Sequence, residues 1–243
     1  MITTAELHTK AEREGLRFDQ VEKDYVILHV LSALATTLGD ASKWTFKGGT
    51  CLRHCYYPGY RFSEDIDFSC EPTNDTVEVV RGFAERISQL VESESGLMIT
   101  PGKVQAPENE AQVEISLQYS RGGSLRQALP VMKLHLTFDE PVLVGPVRCQ
   151  VNPGYLDLAP FGIFAYSKLE IVAEKMRALL QQQEKWPRPR DLFDLWFILC
   201  RVRERFSRIE LRQLFLKKCE IRTIVPDVGA LTSHGLREWN RAA

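Results

Sequence analysis

The chain has 243 residues, 44 % of them hydrophobic and 26 % charged. This is ordinary globular usage, which excludes a mostly disordered chain, a collagen-like chain and a disulfide mini-protein. A chain this long buries roughly 70 % of the surface that its unfolded form exposes, so it needs no metal or staple to fold. Lys plus Arg number 31 against 32 Asp plus Glu, a net charge of -1. Bulk charge therefore does not mark a nucleic-acid binder, and its distribution along the chain carries the information.

The elements follow in chain order. The first residues lack a basic stretch followed by an apolar one and do not read as a signal peptide. A first long helix is expected from a capping-box pattern at Asp19 and Glu22, with Gly39 where a C′ glycine belongs. Between them Val21, Tyr25, Leu28, Leu31, Leu34 and Leu38 recur at helical spacing. The longest apolar stretch, Tyr25 to Ala35, is too short to span a bilayer, so a soluble cytoplasmic protein without a membrane partner is expected. Trp44 to Phe46 reads as a short strand ending at Gly48-Gly49, and Thr50 to Tyr57 as a short helix stopped by Pro58-Gly59. Ile66 and Phe68 alternate with Asp65 and Asp67, the period of a strand. Val77 to Val91 is helical. Gln112 to Tyr119 and Val131 to Phe138 alternate as strands around the turn signal Arg121-Gly122-Gly123-Ser124, and Val142 to Val151 supplies another.

After Pro153-Gly154 the pattern reads as wholly helical: Tyr166 to Gln182, a break at Trp186-Pro187-Arg188-Pro189, then Asp191 to Arg203 and Ile209 to Lys218. The expected organisation is an α+β unit over 1–155 with N-terminal helices, followed by a helical C-terminal domain over 156–243. Residues 185–218 hold ten basic and four acidic residues, a balance of +6, which leaves -7 for the rest. That is either a solvated helix face or the footprint of a phosphate-backbone partner.

Chemistry is concentrated in Lys47-Gly48-Gly49-Thr50 and Arg61-Phe62-Ser63-Glu64-Asp65-Ile66-Asp67-Phe68. Residues two apart on a strand share a face about 6.6 Å apart, so Asp65 and Asp67 aim both carboxylates at one place. Such a pair repels itself unless a hard divalent cation lies between, and Mg²⁺ takes one or two carboxylates plus substrate phosphates. Gly48-Gly49 lets backbone amides approach a phosphate, and the Thr50 hydroxyl can bind a phosphate oxygen. Each piece alone is common; the ordered set is not. The six cysteines are Cys51, Cys55, Cys70, Cys149, Cys200 and Cys219, with no CxxC pair. They read as reduced core thiols. Cys51, His54 and Cys55 could share a helix face as zinc ligands, but no fourth ligand is evident.

Gly48-Gly49-Thr50 followed by Arg61-x-Ser63-x-Asp65-x-Asp67 resembles the AbiEii/AbiGii nucleotidyltransferase toxins of the polymerase-beta-like superfamily. Glu22-Lys23-Asp24-Tyr25, Ala173-Glu174-Lys175-Met176-Arg177-Ala178-Leu179 and Arg188-Pro189-Arg190-Asp191-Leu192-Phe193-Asp194-Leu195 resemble three further motifs of that family. The resemblance runs from about residue 20 to 200. It implies a nucleotidyltransferase-like mixed sheet with flanking helices, and metal-dependent transfer of a nucleotide from an NTP to an acceptor, the 3′ end of tRNA in some members. It implies Mg²⁺ or Mn²⁺ on Asp65 and Asp67, and a cognate antitoxin. It also implies nucleotide binding by Gly48, Gly49, Thr50, Arg61, Ser63 and Lys133, and catalytic roles for Asp65, Asp67, Lys175, Asp191 and Asp194.

Read from the residues themselves, Lys175 on the shoulder of its helix either awaits an anion or snorkels. Glu170, Glu174 and Arg177 are explained by i,i+4 pairing. One departure stands out. The family's later strand carries Lys-x-acid, whereas this chain has Lys133-Leu134-His135, with Glu114 on the preceding strand. Alternation turns Lys133 and His135 toward the site, where a neutral His135 could serve as base or ligand. That departure keeps open an NTP-binding module without catalysis. A transferase that modifies protein hydroxyls is a third reading.

Overall fold

The computed structural model describes residues 1–39, 43–107, 111–122, 128–181 and 188–227. Two compact units emerge. One comprises Met1–Val142 and Pro146–Ala165; the other comprises Leu143–Gly145 and the chain from Tyr166 onward.

The first unit is built on a mixed seven-stranded sheet. Its strands are β1 (Trp44–Lys47), β2 (Asp65–Cys70), β3 (Met98–Gln105), β4 (Gln112–Ser120), β5 (Val131–Thr137), β6 (Val147–Val151) and β7 (Phe161–Ala165). They lie in the order β3-β4-β5-β2-β1-β7-β6. β2 and β5 run parallel, as do β1 and β7; the other neighbours are antiparallel. Alternation sorts the central strands into two faces. Ile66, Phe68, Val113, Ile115, Leu117, Met132, Leu134 and Leu136 are buried on one side. Each such side chain contributes about 1.5–3 kcal/mol by leaving water. Helix α2 (Phe18–Leu38) supplies much of this core through Tyr25, Leu28, Leu31 and Leu34, and α4 (Thr76–Ser95) brings Phe83 within 4.7 Å of the Trp44 ring.

Helix α1 (Thr4–Glu14) is an addition to the expected elements, with a capping box between Thr3 and Glu6. The α2 cap also differs from expectation. The helix begins two residues earlier, the Gln20 side chain accepts from the Arg17 backbone N–H, and Glu22 is buried instead of capping. Asp24 is the polar hub of this unit. It is buried and meets Arg53 Nε at 3.2 Å, His54 Nε2 at 3.1 Å and the Tyr155 hydroxyl at 3.1 Å. Burial works to raise its pKa, but these partners outweigh it and hold the carboxyl below the ordinary value. His54 is thus turned to Asp24, and Cys149 stands 3.5 Å from the Tyr56 hydroxyl. The described cysteines are free thiols.

The short helix α3 (Gly48–Cys51) starts at Gly48 rather than Thr50 and continues as a π-helical turn, Leu52–Tyr56. The turn signal after β4 falls partly, at 123–124, outside the described residues, as does the break at 186–187. The expectation that everything after Pro153-Gly154 is helical is corrected by β7, which pairs with both β1 and β6 and completes the sheet.

The second unit contains α5 (Lys168–Gln181), α6 (Pro189–Trp196), a π-helical turn at Phe197–Arg201 and α7 (Arg208–Ile221). Ala173, Leu180, Leu214, Phe215 and Cys219 form its core. Glu170 corrects the i,i+4 reading. It is fully buried, lies 2.8 Å from Lys218 Nζ, and accepts the backbone N–H groups of Leu143 and Val144 at 2.9 Å each. Glu174 stands 3.9 Å from the same ammonium, while Arg177 donates to Gln181. Among the described residues no helix is long and apolar enough to cross a membrane.

Candidate functional site

The polar face of β4, β5 and β2 gathers four of the singled-out residues, Asp65, Asp67, Lys133 and His135. Register does the work. Asp65 pairs with Lys133 and Asp67 with His135 across β2 and β5, while Ser116 pairs with Lys133 and Glu114 with His135 across β4 and β5. Two rows result, Glu114–His135–Asp67 and Ser116–Lys133–Asp65, on the side of the sheet opposite the apolar core.

The first row is joined by contacts at both ends of the imidazole. His135 Nδ1 lies 3.1 Å from Asp67 Oδ1, and Nε2 lies 2.8 Å from Glu114 Oε2. The other Glu114 oxygen meets Lys133 Nζ at 2.9 Å. The Asp67 hydrogen bond outweighs burial and, with Asp65 and Glu114, pushes the His135 pKa up to about 9. The two carboxylates thus favour the protonated imidazole in the chain without metal, whereas the expectation of a neutral His135 concerns the metal-bound state. Lys133 and His135 in turn hold the Glu114 carboxyl below its ordinary range.

The glycine pair closes the site from below. Gly48 has φ 79°, and a Cβ there would lie 2.2 Å from Asp67 Oδ2, so glycine is required by both backbone angle and space. A Cβ on Gly49 would meet Ser63 Oγ at 2.8 Å and an Arg61 guanidinium nitrogen at 3.0 Å. The two glycines thus bring bare backbone against Asp67, Ser63 and Arg61. Thr50 lies elsewhere than expected: it is fully buried, and its hydroxyl donates to the Asp65 carbonyl at 2.5 Å. It fixes the start of β2 rather than offering a free hydroxyl.

The remaining residues lie in the second unit. Lys175 is buried and lies 2.6 Å from Asp191 Oδ1 and 2.8 Å from Asp194 Oδ2. Burial opposes its charge, but the two aspartates overcome this and raise its pKa. The anions beside Lys175 are thus two carboxylates of the chain itself. Arg188 adds a contact to Asp191 at 3.2 Å.

Glu114 is the site residue that sequence reasoning did not assign. The signal was present, since β4 alternates Val113, Ile115 and Leu117 inward and so turns Glu114 and Ser116 to the polar face.

The family model for the nucleotidyl transferase AbiEii toxin, type IV toxin–antitoxin system, matches residues 29–238. MenT4, a nucleotidyltransferase toxin from Mycobacterium tuberculosis H37Rv, is similar in structure with a TM-score of 0.60 and 20 % identity, over 89 % of this chain and 70 % of that one. JHP933 from Helicobacter pylori is similar with a TM-score of 0.56 and 14 % identity, over 92 % and 94 %. No curated protein matches by sequence. These structural likenesses show the nucleotidyltransferase fold, and the family match covers most of the sequence: the chain belongs to the AbiEii family of nucleotidyltransferase toxins.

Proposed function

We propose that the chain transfers a nucleotide from an NTP to an RNA hydroxyl, the 3′ end of a tRNA, as the cytoplasmic toxin of a toxin–antitoxin or phage-defence pair silenced by a cognate antitoxin. The observation that carries the reading is the approach of the Gly48–Gly49 backbone to Asp67, Ser63 and Arg61. It leaves amide groups, a hydroxyl and a guanidinium beside paired carboxylates, the mixture that a nucleotide triphosphate and its counter-ion require. Exposed basic residues between 188 and 217, among them Arg201, Arg203, Arg205, Arg208 and Arg212, support a phosphate-backbone acceptor.

Asp65 and Asp67 fit a divalent cation by donor chemistry: two hard carboxylates on one strand face. Among the described residues no three His, Cys, Asp or Glu side chains form a cage of their own. Substrate phosphates and water would complete the shell around such an ion, as Mg²⁺ or Mn²⁺ at transferase sites commonly has it, alongside whatever further side chain the site supplies. When bound, the ion neutralises charge that develops on the reacting phosphate. The protein's own groups bind and orient. Gly48 and Gly49 admit the triphosphate, Arg61 and Ser63 face it, and Lys133 stands beside Asp65. Thr50 acts through Asp65. The acceptor hydroxyl attacks the α-phosphate in line and pyrophosphate leaves. Lys175, Asp191 and Asp194 are assigned to the machinery on their motif, as a preformed ion-paired trio.

Incubation with each labelled NTP and total RNA tests the reading. Label is expected at RNA 3′ ends, and label on protein instead would move the acceptor to a side-chain hydroxyl. A second reading is an NTP-binding module without transfer, favoured by His135 standing between Asp67 and Glu114 in place of an acid. It predicts NTP binding with no label transferred to either acceptor.

A further inference from the structure

We infer that Glu114 is a positioning residue: by taking the Nε2–H of His135 it fixes the imidazole with Nδ1 toward Asp67, so that His135 serves as a nitrogen ligand where the family has a third carboxylate. The inference rests on the reading of Asp67 as a metal ligand given above.

Three observations carry it. The register places Glu114, His135 and Asp67 directly opposite one another on adjacent strands, so the row is set by backbone pairing and not by long flexible side chains. The contacts are directional, with Nε2 on Glu114 at 2.8 Å and Nδ1 on Asp67 at 3.1 Å. Glu114 is itself held at its second oxygen by Lys133. Imidazoles that ligate metals nearly always donate their other N–H to a carboxylate or carbonyl, which fixes tautomer and ring orientation. Asp67 is also oriented, because Oδ1 faces His135 while Oδ2 lies against Gly48, where a Cβ would come within 2.2 Å. Exchanging an oxygen for an imidazole nitrogen tilts the site from Mg²⁺, which favours all-oxygen shells, toward Mn²⁺.

The test uses the full chain and Mn²⁺ alone, read by continuous-wave and pulsed electron paramagnetic resonance, with thermal unfolding to establish that each variant is folded. Wild type is expected to bind Mn²⁺ with a ¹⁴N coupling that disappears in His135→Ala. Glu114→Ala is expected to lose about 10–100-fold in Mn²⁺ affinity. Glu114→Gln, whose amide oxygen still accepts from Nε2–H, should recover most of that loss. Mn²⁺ bound without ¹⁴N coupling, or with affinity unchanged in folded Glu114→Ala, overturns the inference and leaves the carboxylate site standing. No Mn²⁺ binding by wild type, or binding indifferent to Asp67→Asn, overturns the metal reading of Asp67 and the inference with it.

Discussion

Two ionic arrangements in this protein look alike as contact lists and differ in what they can do. In the first unit Asp67, His135 and Glu114 form a row in which the side chains of Asp67 and His135 remain 28 % and 34 % exposed. In the second, Glu170 and Lys218 are completely enclosed, and Asp194 is sealed beside Lys175. A half-exposed ion row is weakly stabilising and can exchange partners, because water screens what is lost. An enclosed pair cannot exchange anything, since removing one charge strands the other without solvent. Charge density alone therefore does not mark a site; access to solvent separates a row that can take up a ligand from a pair that ties chain segments together.

Breaking the enclosed pair should have the largest effect. Lys218→Met is expected to destabilise the second unit by about 3–5 kcal/mol, because Glu170 is left enclosed without its cation. Denaturant unfolding measures this, and a loss under 1 kcal/mol would place the pair with the exposed row. Asp65→Ala or Asp67→Ala should do the converse. Transfer is expected to fall at least about a hundredfold, while the unfolding midpoint barely moves. Wild-type transfer rates in either variant would remove the carboxylates from the mechanism.

Asp24 sharpens the contrast through pH. Its carboxyl titrates below its ordinary value in the folded chain. The ionised group thus stabilises fully above the unfolded pKa near 3.9, and that contribution is lost as pH falls through the folded value. Asp24→Asn should be less stable at neutral pH and show a shallower acid limb below about pH 4. An acid limb of unchanged slope would show that other carboxylates set it. The smallest effect per residue is expected on the exposed basic surface. Reversing Arg201, Arg205 and Arg208 should weaken RNA binding and flatten its salt dependence by about one unit of slope per lost phosphate contact. Filter binding over a salt series measures this, and an unchanged slope makes these arginines a solvated face.

Much of the fold was legible because its signals were local. Alternation gave β2, β4 and β5, and helical spacing gave α2, α4, α5 and α7. What escaped has local reasons too. β3 carries Pro101-Gly102 in its middle, which reads as a break, and its pairing with β4 shifts register between Pro101 and Val104. β7 is only five residues long behind Pro160, with no polar alternation to mark it as a strand. α1 buries just Leu7 and Ala11 along its length, too little to register as a core-facing stripe. The site divides in the same way. Asp65 and Asp67 were readable because two residues suffice to define a strand face. The Glu114 partnership and the Glu170–Lys218 pair were not, since each depends on segments brought together by the tertiary fold. Thr50 escaped for a related reason: its motif position predicts a phosphate contact, and only the packing of α3 on β2 reveals that its hydroxyl is committed to the Asp65 carbonyl.

The sheet order has a consequence during synthesis. β2 acquires its parallel neighbour β5 only after the chain has run on from Asp67 to His135, 68 residues later. At roughly 5–20 residues per second a ribosome takes about 3–14 s to cover that interval. Throughout it the carboxylate strand has one open edge and no imidazole beside it, and β1 waits longer still for β7. The polar row on β2 is thus incomplete until β5 pairs with it, and for those seconds the chain presents an unpaired strand edge.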